Sequence, residues 1–189
     1  VPAVDPERAH AIVAASGCGT AKVKVADHAD SLAEDLERVA AVRDALGPEG
    51  RIRVDANARW DVDGAVAAIR ALDRAADGLE YVEQPCATVE ELAALRRRVD
   101  VRIAADESIR RAEDPLAVAE AGAADVAVIK CTPLGGVRRA LEIAEACGLP
   151  CVVSSALETS VGLAAQLALA GALPELDFAC GLGTITLFE

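Results

Sequence analysis

Short β-branched runs alternate with Ala/Leu-rich stretches along the whole chain. The apolar runs predict strands over Ala21–Val25, Ile52–Asp55, Leu79–Glu83, Arg102–Asp106, Val126–Lys130, Cys151–Ser155 and Phe178–Cys180. Val1–Val4, just before an Asp-Pro helix start, reads as the tail of an earlier strand. Helical patterns lie near 5–16, 31–46, 61–76, 88–98, 114–121, 136–147 and 159–171. Two of them open with a capping pattern: Ser31-Leu-Ala-Glu34, and Thr88 with Glu91 three residues on. Leu32, Leu36, Val39, Val42 and Leu46 form an apolar stripe at helical spacing, the expected inward face of the second helix.

The strand ends recur every 23 to 31 residues, from Lys24 to Asp55, Glu83, Asp106, Lys130, Ser155 and Cys180. A sustained strand-then-helix unit of this size builds a parallel sheet. Seven or eight such units close into a barrel, so the fold class read from the pattern is α/β, a (β/α)8-type, TIM-like barrel. A doubly wound sheet would carry a Gly-rich turn after its first strand, and there is no G-x-G-x-x-G. Buried parallel strands are apolar, yet five consecutive strands here finish in a charged residue: Lys24, Asp55, Glu83, Asp106 and Lys130. In a barrel those ends share one rim, where active sites are built.

Composition narrows the picture. A chain of 189 residues reads as one domain, 1–189. Val1 as first residue and the absence of Met suggest a piece of a longer polypeptide. Aromatics are only 2%, so the core is made of Ala, Val, Leu and Ile. A net charge of −12 argues against nucleic acid and anionic membranes as partners. No apolar run approaches a membrane span and no signal peptide is present, which points to a cytoplasmic protein. The scattered cysteines, Cys18, Cys86, Cys131, Cys147, Cys151 and Cys180, lack a C-x-x-C pair and read as reduced, mostly core residues. His10 and His28 are too few and too separated for a metal site.

Lysine usage is uneven. Of nineteen basic residues only Lys22, Lys24 and Lys130 are lysine. Arg stays protonated, whereas a Lys amine can be made to accept a proton. Taken singly, Asp55 could form a turn, Glu83 mark a strand exit and Asp106 cap a helix; all at one register argue for a site. Three converging carboxylates need a cation, and oxygen ligands without His or Cys suit Mg2+, with Mn2+ as the alternative. A small carboxylate substrate on that ion has its α-proton acidified by enediolate stabilisation. Lys24 would take the proton, Lys22 on the same strand face would lower the Lys24 pKa and contact the substrate carboxylate, and Lys130 would approach from the other side.

The set K-x-K at 22–24, VDAN at 54–57, VEQP at 82–85, ADES at 105–108 and VIK at 128–130 resembles the barrel domain of the enolase superfamily, most closely its muconate-lactonising subgroup. The segments SSALETSVG at 154–162 and DFACGLGT at 177–184 are most similar to the branch that dehydrates a succinyl-cyclohexadiene carboxylate to an aromatic acid in menaquinone biosynthesis. The resemblance implies a (β/α)7β barrel with Mg2+ on Asp55, Glu83 and Asp106, and Lys24 and Lys130 as the catalytic pair. Lys130 would stabilise negative charge on the ring or act as the second acid/base. Asn57 and Glu107 would support the metal ligands, although Asn57 is equally a turn former. Ser154, Ser155, Gly181 and Gly183 would line the substrate pocket, mainly through backbone groups. It also implies that an N-terminal α+β capping domain and most of the first strand lie outside this chain. The same two lysines would serve an N-acylamino acid racemase or a dipeptide epimerase, though the latter would be expected to show an Asp-x-Asp near the eighth strand. A non-catalytic barrel module is the third reading.

Overall fold

The structure, a computed structural model, describes residues 1–110 and 114–187. Two compact units divide the chain, Val1–Ile103 and Ala104–Glu189. Six parallel strands are hydrogen-bonded in chain order, β1 to β6, each separated from the next by helix. This is the parallel arrangement that the alternating pattern predicts.

The first unit holds α1 (Pro6–Ser16), β1 (Thr20–Lys24), α2 (Leu32–Leu46), β2 (Arg51–Asp55), α3 (Val62–Ala75), β3 (Leu79–Glu83) and α4 (Val89–Arg96). Its helix starts are written in the sequence. Asp5 caps α1 by accepting from the Arg8 N–H, with Pro6 at the first helical position, and Gly17 ends it at φ 67°. Asp61 caps α3. Thr88 and Glu91 form the reciprocal capping box at α4, as the spacing predicts. Ile52, Val54, Ile69, Leu72, Val82, Leu92 and Leu95 are fully buried between strands and helices. Each contributes roughly 1.5–3 kcal/mol by leaving water.

The expectation for the start of α2 is corrected. Ser31 is already helical, at φ −73° and ψ −7°, and makes no cap bond. Its hydroxyl donates instead to Asp35 at 2.9 Å. Asp35 also accepts the Ala26 N–H at 2.8 Å and the Arg38 guanidinium at 2.6 Å. Arg38 in turn donates to the carbonyls of Lys24 and Val4. This buried ion pair turns a polar edge of α2 inward, and Leu32, expected in the inward stripe, is 38% exposed. Val39 and Val42 are buried as expected. The Val1–Val4 segment is not a strand, but Val1 exchanges two backbone hydrogen bonds with β1, at Lys22 and Lys24.

β4 (Ile103–Ala105) opens the second set of elements, followed by α5 (Glu107–Arg110), α6 (Ala117–Glu120), β5 (Val126–Ile129), α7 (Val137–Cys147), β6 (Cys151–Val153), α8 (Ser160–Ala172) and a 3-10 turn over Gly183–Leu187. The helical pattern near 114–121 shrinks to α6, and α5 is an addition. The strand expected over Phe178–Cys180 does not form. A single parallel bridge joins Ser154 to Gly181, just downstream, while Phe178 buries its ring. No helix among the described residues is long and apolar enough to cross a membrane.

The cysteines are free, with Cys86, Cys131, Cys147 and Cys151 buried and Cys18 exposed. Burial pushes the Cys86 thiol up to about 12 and the Cys151 thiol up to about 11. In native protein at pH 8.5 a maleimide should therefore modify Cys18 first and Cys86 and Cys151 only after unfolding, as peptide mass spectrometry would read. Asp35→Ala strands a buried guanidinium and should cost about 3–5 kcal/mol in urea denaturation. Thr88→Ala removes only a cap and should cost about 1 kcal/mol.

Candidate active site

Strand pairing in the first unit sets three of the singled-out residues in one row. Lys24 is paired in register with Asp55, and Asp55 with Glu83. The row depends on an irregularity: Ile52 pairs with Leu79, but Arg53 pairs with Tyr81, leaving Glu80 as an extra residue on β3. Strand side chains alternate faces, so without this bulge Asp55 would lie beside Val82 and Glu83 would fall out of the row. Glu80 is held at the bulge by Arg51 and Arg53, and the Arg53 guanidinium lies 4.7 Å over the Tyr81 ring.

Asp55 and Glu83 are each 1% exposed. Buried like charges on neighbouring strands demand a cation, and Lys22 supplies one. Its Nζ donates to both Glu83 oxygens at 2.6 and 2.7 Å and to Asp55 Oδ2 at 3.0 Å. Lys24 Nζ reaches the same Asp55 Oδ2 at 2.6 Å. Burial alone would lower the Lys22 pKa, but Glu83 and Asp55 outweigh it and hold the ammonium far above its ordinary range. Burial likewise pushes Asp55 up, yet the two lysines overcome it and hold the carboxyl well below the usual carboxylate range. The lysines differ in access, with side chains 27% exposed for Lys22 and 43% for Lys24.

The chain beyond β2 is laced to the chain beyond β3. Ala56, Ala58 and Trp60 donate backbone N–H bonds to Glu83, Gln84 and Pro85. Asn57 and Ala58 both take left-handed conformations, φ 45° and 63°, which Asn tolerates better than most residues. Asn57 is thus a turn residue, and it is also a partner in the site: its Oδ1 accepts from Lys24 Nζ at 2.6 Å.

In the second unit, Lys130 Nζ donates to Asp106 Oδ2 at 2.7 Å, and Lys130 is 7% exposed. Arg110, which sequence reasoning missed, donates to Asp106 Oδ1 at 2.8 Å and to Glu107 Oε1 at 2.6 Å. The signal was present in the i, i+4 and i, i+3 spacing of Asp106, Glu107 and Arg110. Ser154 and Ser155 follow β6 and are buried. Their N–H groups donate to Ile129 and Gly181, and the Gly181 N–H donates to Val153. The Ser155 hydroxyl reaches the Gly181 carbonyl and Thr184. These serines are tied to the 181–184 segment, and Gly183 opens its 3-10 turn.

Sequence reasoning also missed a side-chain cluster around Glu158. Partial burial raises its pKa, but hydrogen bonds from Thr132, Gln166 and the Ala156 N–H, with the charge of Lys130, bring the net shift downward. Among the described residues no group of three or more His, Cys, Asp or Glu side chains forms a ready metal cage. The donor chemistry of Asp55 and Glu83 nonetheless fits a hard cation. They are all-oxygen, nearly sealed from water, and already converge on the positive charge of Lys22.

The family model described as Enolase C-terminal domain-like matches residues 5–187. The o-succinylbenzoate synthase of Thermobifida fusca (strain YX) is 70% identical over 189 residues, covering 100% of this chain and 59% of that protein. That of Mycobacterium tuberculosis (strain ATCC 25618 / H37Rv) is 61% identical over 191 residues, covering 100% of this chain and 57% of that protein. The chain thus spans less than two thirds of the length of these relatives. Among solved structures, muconate lactonizing enzyme from Pseudomonas putida aligns with a TM-score of 0.84 at 28% identity, over 96% of this chain and 52% of that one. A dipeptide epimerase from Enterococcus faecalis V583, complexed with Mg and L-Leu-L-Tyr, aligns with a TM-score of 0.82 at 32% identity, over 96% of this chain and 52% of that one. With a family model matched along nearly its whole length, the chain belongs to the Enolase C-terminal domain-like family.

Proposed function

We propose that this chain is the catalytic domain of an o-succinylbenzoate synthase, a metal-dependent carbon–oxygen lyase acting in the cytoplasm. The reaction is dehydration of 2-succinyl-6-hydroxy-2,4-cyclohexadiene-1-carboxylate to o-succinylbenzoate, a step of menaquinone biosynthesis. The observation that carries the reading is the 70% identity with the Thermobifida fusca synthase along all 189 residues. The epimerase and muconate lactonizing enzyme structures share the scaffold at 28–32% identity. Racemisation or epimerisation on the same lysine pair is therefore the second reading, favoured by the fold but not by the degree of identity.

In this proposal the strands belong to a closed (β/α)7β barrel, with a capping domain outside this chain. Asp55, Glu83 and Asp106 would hold Mg2+, as the all-oxygen donor set favours. When bound, the ion polarises the substrate carboxylate and stabilises the charge that develops on it. Lys24 as a free amine takes the α-proton, and the carboxylate receives the electron pair of the broken C–H bond. The ring C–O bond then breaks, the leaving hydroxyl takes up the proton that Lys24 abstracted and departs as water, and the ring becomes aromatic with Lys24 returned to the free amine. Asn57 and Asp55 aim the Lys24 Nζ from two sides, each at 2.6 Å. Lys22 keeps the buried carboxylates neutralised, and Lys130, aimed by Asp106, presents a positive charge to the ring. Arg110 holds Asp106 and Glu107 in place behind it. Ser154, Ser155, Gly181 and Gly183 would line the pocket. Because the N–H groups of Ser154, Ser155 and Gly181 are engaged with neighbouring backbone, they would act mainly through shape.

The complete polypeptide given the cyclohexadiene substrate and Mg2+ should produce o-succinylbenzoate absorbance. EDTA should abolish it, and excess Mg2+ restore it. Lys24→Ala should lower turnover by at least about 100-fold, within the 10²–10⁴-fold range of a positioned acid/base, and Lys130→Ala, which removes the charge facing the ring, should lower it as well. Wild-type rates in either variant, or full turnover in EDTA, would sink the mechanism. Racemisation of N-succinylamino acids faster than the dehydration would favour the second reading.

A further inference from the structure

Gln166, on the second turn of α8, is fully buried although its side chain is a primary amide. Its Oε1 accepts the Cys131 N–H at 3.2 Å, and its Nε2 donates to Glu158 Oε1 at 2.9 Å. The same Glu158 oxygen accepts the Thr132 hydroxyl at 2.6 Å. The other oxygen accepts the Ala156 N–H at 3.0 Å. One carboxylate thus fastens together the chain after β5, the chain after β6 and the helix α8. The stem of Glu158 is clamped too. A Cβ on Gly162 would meet Glu158 Cβ at 2.7 Å and Cγ at 2.8 Å, so the first turn of α8 rests directly on it.

The residue immediately before Cys131 is Lys130. Upstream, its strand is pinned by the β5–β6 ladder, with Ile129 paired to Val153. Downstream, the Cys131 N–H has its bond to Gln166, and the orientation of that amide is dictated by Glu158. A Gln166 rotated by 180° would set its NH2 against the Cys131 N–H and its oxygen against the Glu158 carboxylate. Both bonds would be lost together, so Glu158 fixes the amide and the amide fixes the backbone beside Lys130.

We propose that Glu158 is a positioning residue for Lys130, acting through Gln166 and Thr132 as a bracket on the 130–132 segment. The proposal rests on Lys130 taking part in the reaction read above. It requires a carboxylate rather than an amide. In Glu158→Gln, an NH2 must face either the Ala156 N–H or the Thr132 and Gln166 donors, and at least one bond is lost. A displacement of about 1 Å at a reacting group costs on the order of 100-fold in rate.

The test uses the complete polypeptide with Mg2+ and the cyclohexadiene substrate. Glu158→Gln should lower kcat by about 10- to 100-fold with KM nearly unchanged, and amide hydrogen exchange at Cys131 should accelerate. Thr132→Val should fall in the same direction, while Thr132→Ser, which keeps the hydroxyl, should restore the rate. This pair serves if Glu158→Gln folds poorly. In a Lys130→Ala background, Glu158→Gln should add little further loss, since the two act on one group. A wild-type kcat in Glu158→Gln beside an impaired Lys130→Ala would overturn the bracket alone, as would losses that simply multiply in the double variant. Full turnover by Lys130→Ala would overturn the role of Lys130, and the positioning proposal with it.

Discussion

Two buried carboxylates on neighbouring strands impose the central constraint on the first unit. Asp55 and Glu83 lie side by side with 1% exposure each. Unit charges about 4 Å apart repel by about 4 kcal/mol at an effective dielectric near 20. Folding can tolerate this only with positive charge between them, and the Lys22 ammonium on both carboxylates is that charge. The arrangement has little value for stability alone, because well-packed apolar residues would serve a strand interior at least as well. The Lys22, Asp55 and Glu83 charges are instead held together across three neighbouring strands.

Around that centre, the surrounding polar groups fix direction rather than add bulk stability. Asp35 and Arg38 tie the carbonyl of Lys24 and the N–H of Ala26 to α2, so the end of β1 is anchored just where the amine leaves the strand. Asn57 accepts from the amine itself. In the second unit Arg110 and Lys130 take opposite oxygens of Asp106. Lys24 and Asp106 thus each have a polar neighbour, Asn57 and Arg110, that fixes their direction, which is what pre-organisation requires.

Much of this could be read from the sequence, because it depends on local period and strand ends. β-branched runs finishing in Lys, Asp or Glu at similar intervals gave the strands and the residues of the row. The capping box at Thr88 was equally local. What escaped was decided by tertiary competition. Ser31 carries a good capping pattern, but a buried Asp35 four residues on claims its hydroxyl. Leu32 fits the apolar stripe, but the buried face at that turn is taken by an ion pair serving the backbone of another segment. The expected strand at Phe178–Cys180 is apolar enough, yet the sheet partner meets the chain one residue later, at Gly181. The Glu158 cluster was invisible for the same reason, since its members come from three elements and none has a distinctive spacing.

The extra residue at Glu80 bears on how this strand tolerates insertions and deletions. Upstream of it, a change of one residue need only resize a loop or the bulge itself, and the parity of Tyr81 to Glu83 survives. Downstream there is no such slack: a single added or lost residue would exchange the inner and outer faces and carry the carboxylate to the helix side. The bulge therefore acts as a phase boundary within one short strand, separating a half whose length is free to drift from a half whose length is locked to the row of Lys24, Asp55 and Glu83.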